Sequence, residues 1–160
     1  MEELKIRKAN REDSPLILEF IKELAEFEKL SHEVVATSRH LEETLFGEAP
    51  DAEVYLAFYE NEPAGFTLFF YNYSTFLGKR GLYLEDLYVK EHLRGKGIGK
   101  ALLINLAKHA LDNNCARFEW SVLDWNTKAI KFYESLGAKQ MDEWTVHRVS
   151  GEELKRLAET

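Results

Sequence analysis

Apolar and polar residues change their spacing along the chain, and the changes mark its elements. Leu4-Lys5-Ile6-Arg7-Lys8 alternates with period two, as an opening strand does. The period then lengthens. Leu16, Ile17, Phe20, Ile21, Leu24 and Phe27 recur at helical spacing and make one apolar stripe. Ser14-Pro15 predicts the start of that helix, with Ser14 as N-cap and Pro15 at the first helical position. A shorter helix is predicted from Ser38 through Leu41 and Leu45, stopping at Gly47. Val54–Tyr59 and Gly65–Tyr71 then read as a hairpin joined through Asn61-Glu62-Pro63. After a turn at Gly78 to Gly81, Leu82–Val89 is a further strand with Glu85 and Asp86 at its centre. A helix from Ile98 to Leu111 carries Ile98, Leu102, Leu103, Leu106 and Ala110. Phe118–Leu123 is a strand, and Asn126 caps a helix that ends at Gly137. A last strand is expected around Trp144 to Val149, and Ser150 with Glu153 forms a capping box for a terminal helix.

These elements do not alternate strictly between strand and helix. They predict a mixed α/β (α+β) fold with a central sheet flanked by helices, and exclude a doubly wound parallel sheet. No repeat, low-complexity tract or linker interrupts the 160 residues, so one domain spanning residues 1–160 is expected.

Composition narrows the function classes. With 45% hydrophobic and 31% charged residues, the chain has an ordinary globular mixture. The net charge of -7 opposes nonspecific nucleic-acid binding, which needs a basic face to displace counterions. No apolar run approaches the ~20 residues of a membrane span, and the N-terminus lacks a signal peptide's basic start and apolar stretch. Cys115 is the single cysteine, which excludes an intrachain disulfide and suits a reducing cytoplasm. It has no nucleophile motif and reads as a small buried residue. The histidines (32, 40, 92, 109 and 147) show no metal-ligand spacing, so no metal is expected.

The chemistry concentrates between the fourth strand and the helix after it. Arg94-Gly95-Lys96-Gly97-Ile98-Gly99-Lys100 places glycines at alternate positions and three cations in an otherwise acidic protein. Backbone N–H groups there can turn toward an anion, and the helix N-terminus adds partial positive charge. A pyrophosphate is the natural guest. A Walker A loop would need glycine in place of Arg94 and a hydroxyl in place of Ala101. A dinucleotide fingerprint would need its third glycine at Lys100, inside a βαβ unit.

Arg94-Gly95-Lys96-Gly97-Ile98-Gly99 resembles the R/Q-x-x-G-x-G/A loop of the GNAT N-acetyltransferases. Leu84–Val89 before it, and Asn126, Ala129–Tyr133 and Leu136–Ala138 after it, continue the pattern. Ile21–Glu28 and Tyr83–Asp86 resemble the diamine branch, which includes spermidine/spermine and thialysine acetyltransferases. The resemblance implies the GNAT acyl-CoA N-acyltransferase fold, with a mostly antiparallel sheet, and acetyl-CoA as acetyl donor. It implies that Leu87, Tyr88 and Val89 offer backbone groups to the cofactor after a bulge in their strand. Arg94 to Lys100 would hold the pyrophosphate, and Asn126, Ala129 and Tyr133 would also meet the cofactor. Asn126 equally reads as a helix cap alone.

Transfer to an amine poses two proton problems. The ammonium, with a pKa of about 10.4, must be deprotonated, and the departing thiolate needs a donor. The resemblance gives the second task to Tyr133, which spacing alone reads as a core aromatic beside Ala129, Ile130 and Leu136. Glu85 is the candidate base, acting through water, and an anchor for a cationic acceptor. Asp86 joins it in substrate binding or serves as a structural hydrogen-bonding group, because neighbours on a strand face opposite ways unless a bulge intervenes. Phe27 and Glu28 match an aromatic–acid pair that contacts the amine, and Trp144 is a further substrate candidate. By position alone, Phe27 is an apolar-face residue and Glu28 a solvated one.

The polyamine-specific enzymes carry an acidic residue where Thr75 stands. Tyr73–Phe76 and Val122–Asn126 look more like the thialysine branch, which favours a lysine-like or diamine acceptor. A homodimer is expected by resemblance. A noncatalytic acyl-CoA-binding module and a peptide or protein N-acetyltransferase are the alternatives.

Overall fold

The computed structural model describes residues 3–160. It contains five strands and five α-helices: β1 (Leu4–Lys8), α1 (Ser14–Phe27), α2 (Ser38–Leu45), β2 (Glu53–Tyr59), β3 (Glu62–Ser74), β4 (Lys79–Val89), α3 (Ile98–Asp112), β5 (Phe118–Trp120), α4 (Thr127–Ser135) and α5 (Gly151–Ala158). The sheet runs β1-β2-β3-β4-β5. Its first three pairings are antiparallel, and β4 with β5 is parallel, so the sheet is mixed and mostly antiparallel as expected. The chain forms two compact units, one ending at Ser121 and one spanning Val122–Thr160.

Period-two alternation assigns the faces of the sheet in the first unit. Val54, Leu56 and Phe66 pack with Ile17 and Phe20 of α1 and Leu41 and Leu45 of α2. Ala57 and Ala64 face the other way, against Leu93 and against Ile98 and Leu102 of α3. The β2–β3 hairpin turns on Glu60 and Asn61, both at positive φ (49° and 69°), as a type I′ turn requires. Its register shifts after Ala57: Ala57 faces Gly65 and Phe58 faces Pro63, leaving Ala64 as the extra residue.

Four sequence expectations are corrected. A 3-10 turn at Arg11–Asp13, capped by Asn10, leads directly into α1, so Ser14 lies inside the helix rather than at its cap. The Ser14 side chain is buried and its hydroxyl donates to the Arg11 carbonyl at 2.8 Å. Residues 144–149 form no strand. Trp144 and Val146 alternate with polar neighbours, but both are exposed and no ladder partner engages them; alternation without a ladder does not make a strand. Finally, Ser150 caps α5 by position only: its side chain makes no cap bond, and the Glu153 carboxylate, the other half of the expected box, pairs with Arg156. β5 is also shorter than expected, ending at Trp120.

Candidate active site

The site begins with an irregularity in β4. Leu68 of β3 faces Asp86, and the next residue, Phe69, faces Leu84. Glu85 is therefore the extra residue of a β-bulge, which bends the strand and re-aims the side chains on either side. This is the bulge that the resemblance implied. The parallel ladder between β4 and β5 covers only Leu82–Leu84 opposite Phe118–Trp120 and stops there. From Glu85 to Val89 no strand among the described residues pairs with that edge of β4, while its other edge stays paired to Gly65, Phe66 and Thr67. An edge of this kind presents the main-chain groups of Leu87 and Val89, whereas those of Tyr88 face β3.

The end of α1 brings a third carboxylate to Glu85 and Asp86. Lys29 adopts a left-handed conformation (φ 63°), and the Leu30 and Lys29 N–H groups donate back to Ala25 and Glu26. This Schellman-type stop fixes where Phe27 and Glu28 sit. Burial, and then the charge of Glu85, raise the Glu28 pKa above the ordinary value. Asp86 is half-buried but densely surrounded. Lost hydration, followed by the charges of Glu85 and Glu28, pushes its carboxyl up to about 7. Three carboxyls thus share one field, and near neutrality Asp86 readily holds a proton. An organic cation is the natural complement to such a group.

The basic loop lies at the other end of β4. Gly95 and Gly97 have φ of 83° and 82°, a region that disfavours side chains, and nothing lies within 4 Å of where a Cβ would stand. No side chain caps α3 at Gly97, so the first turn of the helix is available to an anion. Ile98 is buried in the core and anchors the loop, while Lys96 and Lys100 are exposed. Lys96 lies over the Tyr59 ring at 5.4 Å. Gly99 sits 3.8 Å (from its would-be Cβ) from Val89 Cγ2, where the helix passes close to β4.

In the first unit, then, Phe27, Glu28, Glu85 and Asp86 come together beside the parted edge of β4, and Arg94 to Lys100 form an open anion cradle. Asn126, Ala129, Tyr133 and Trp144 belong to the second unit. There the Asn126 side chain accepts from the Ala129 N–H at 3.3 Å, the cap expected from sequence, and Tyr133 is half-buried on α4. Trp144 stands in an irregular segment, 76% exposed. Sequence reasoning missed the bracing of β4 onto α1: the Tyr88 hydroxyl donates to Glu23 at 3.0 Å, and Lys90 pairs with Glu23 and Glu19. No motif signals such pairs, which join distant parts of the chain.

Residues 18–138 match the Acetyltransferase (GNAT) family. The chain belongs to this family. It is 40% identical to a thialysine N-epsilon-acetyltransferase from Mus musculus, with 99% of each chain covered. It is 35% identical to an L-ornithine N5-acetyltransferase from Arabidopsis thaliana, covering 96% of this chain and 87% of that protein. An integron cassette protein from the mobile metagenome of V. cholerae shares its structure with a TM-score of 0.83 at 27% identity, over 99% of both chains. This GNAT chain is accordingly an N-acetyltransferase, a family that uses acetyl-CoA. No helix among the described residues is long and apolar enough to cross a membrane.

Proposed function

We propose that this enzyme transfers the acetyl group of acetyl-CoA to the terminal primary amine of a small cationic acceptor, lysine-like in its spacing, with thialysine, ornithine, lysine and diamines as candidates. The observation that carries the reading is the convergence of Glu28, Glu85 and Asp86 beside the parted edge of β4. Two relatives named for thialysine and ornithine acetylation support a terminal amine on an amino-acid frame.

The residues present fit acetyl-CoA. Arg94, Lys96 and Lys100 with the left-handed Gly95 and Gly97 suit a pyrophosphate. Gly99 allows α3 to approach β4, Ile98 anchors the loop, and the outward main chain of Leu87 and Val89, on either side of Tyr88, suits an amide-bearing arm. Asn126 and Ala129, joined by the cap at the start of α4, are further cofactor contacts by resemblance to the family. When bound, acetyl-CoA supplies an activated thioester: the carbon–nitrogen bond forms as the carbon–sulfur bond breaks.

The acceptor's ammonium is held by Glu28, Glu85 and Asp86, with Phe27 as an apolar wall. Glu85, the exposed bulge residue, accepts the ammonium proton through a water molecule. Tyr133 donates its phenolic proton to the departing sulfur. Cys115 is buried, and burial raises its thiol pKa, which supports direct transfer over an acetyl-cysteine intermediate. The whole chain acts as one catalytic domain, as a cytoplasmic homodimer by resemblance to the family.

An assay of coenzyme A release from acetyl-CoA with thialysine, ornithine, lysine, diamines, polyamines and peptides tests the proposal. Release with the lysine-like acceptors is expected. Release with peptides alone would establish a protein acetyltransferase, and saturable acetyl-CoA binding without release would establish a noncatalytic module.

A further inference from the structure

Arg94 differs from Lys90, the cation just before it. Lys90 pairs with carboxylates, whereas no carboxylate among the described residues lies within ion-pair reach of Arg94. Its Nε donates to the Val89 carbonyl at 2.9 Å. Its guanidinium lies over two rings, Phe27 at 4.8 Å and Tyr88 at 5.5 Å. The terminal nitrogens carry no hydrogen bond to any described residue. A guanidinium held by its Nε edge and its face keeps its terminal N–H fork for an oxyanion. Phe27, for its part, departs from the stripe it ends: Ile17 and Phe20 are fully buried, yet Phe27 is 42% exposed. An aromatic ring at that exposure adds little to the core, and its face is the platform on which the arginine rests.

We infer that Phe27 is a positioning residue for Arg94, orienting the guanidinium for the cofactor's pyrophosphate in addition to any contact with the amine. The inference rests on the proposed grip of Arg94 on that pyrophosphate. Tyr88 is fixed by its bond to Glu23 and supplies the rigid neighbour, while Phe27 is fixed by the stop of α1. One helix end therefore carries both Glu28 of the carboxyl group and the platform for the cofactor loop. By linkage, anything that displaces the Phe27 ring is felt in cofactor affinity.

The test compares coenzyme A binding by calorimetry, and kcat/KM with acetyl-CoA and with acetyl-pantetheine, which lacks the pyrophosphate. Phe27→Leu should weaken coenzyme A binding roughly three- to tenfold, the range of an exposed to partly desolvated cation–π contact. Any loss through the acceptor wall is common to both donors, so the fall in kcat/KM should be larger with acetyl-CoA than with acetyl-pantetheine by roughly the same three- to tenfold factor as the loss of coenzyme A affinity, and Phe27→Trp should restore that affinity. In an Arg94→Ala background Phe27→Leu should have no further effect. Equal losses with both donors, or a full additional loss in the Arg94→Ala background, would overturn the inference. If Arg94→Ala weakens coenzyme A while Phe27→Leu does not, the platform fails and the grip stands. If Arg94→Ala leaves binding unchanged, the grip fails and the inference with it.

Discussion

Burial, then Glu85 and then Glu28 raise the proton affinity of Asp86, and Glu28 does so from the end of α1 while Asp86 sits in the middle of β4. The Asp86 carboxyl lies at about 7 in the folded protein against 3.8 ordinarily, so the folded state binds the proton more tightly than the unfolded chain. Below both values the two states are equally protonated. Above about 7 the folded state carries a charge it disfavours, so stability falls as pH rises from about 4 to about 7. Asp86→Asn should remove this loss. At pH 8 it should stabilise the fold by about 4 kcal/mol, as an order of magnitude from roughly three pKa units. Urea unfolding at low and high pH checks it: equal midpoint changes at both would contradict the sign.

Gly65 sits where β3 crosses the end of β4. A Cβ there would meet the Tyr88 carbonyl oxygen at 2.3 Å and Val89 Cα at 3.1 Å, both main-chain atoms that cannot rotate away. Gly65→Ala should destabilise the protein by roughly 1–3 kcal/mol. It should also weaken acetyl-CoA binding, by displacing the Tyr88–Val89 main chain. Thermal unfolding and calorimetry would show both effects; an unchanged melting temperature would mean the strands separate without cost.

Tyr133→Phe removes one hydroxyl from α4 and leaves the ring. A proton donor to sulfur should be missed in turnover, by about a hundredfold or more, with little change in coenzyme A affinity. Steady-state kcat and equilibrium binding separate the two. Turnover at the unsubstituted rate would take Tyr133 out of the chemistry.

Far from the glycine loop, His109 of α3 is bracketed by two phenols. Its Nδ1 meets the Tyr55 hydroxyl at 3.0 Å and its Nε2 the Tyr71 hydroxyl at 2.6 Å. Burial lowers its pKa below 6.5, Glu53 and Asp112 pull it up, and Lys8 lowers it further. The unfolded chain then binds this proton more readily, so stability is lost as pH falls below 6.5. His109→Phe should flatten that acid limb in unfolding curves collected at descending pH. A limb of undiminished slope would assign the loss to other groups.

The sheet and the loop were legible because their signals are local. Alternation located β1, apolar runs between turn residues located β2 to β4, and the glycines of residues 95–99 stand on the strand-to-helix junction that spacing predicted. The bulge at Glu85 was legible only through family resemblance, since a run of Leu-Glu-Asp-Leu contains nothing that dictates an extra residue. Residues 144–149 failed for the opposite reason: the alternation is present but the hydrogen-bonding partner is not. Ser150 and Glu153 have the spacing of a capping box, yet Arg156 one turn later competes for the carboxylate. The stack of Arg94 on Phe27 joins residues far apart in the chain, a relationship that no spacing rule reaches.

The parting of β4 from β5 beyond Leu84 has a consequence for how the enzyme tolerates change. Leu87 and Val89 turn their side chains into the cluster of Ala57, Ala64, Leu93, Ile98 and Leu102, and Tyr88 turns its own to the opposite core. Only the main chain of this stretch is left to face a ligand, and every amino acid except proline supplies the same N–H and C=O. Substitutions at these positions should therefore surface as folding defects, while a drifting sequence could repack both cores and still present the same ligand-facing edge.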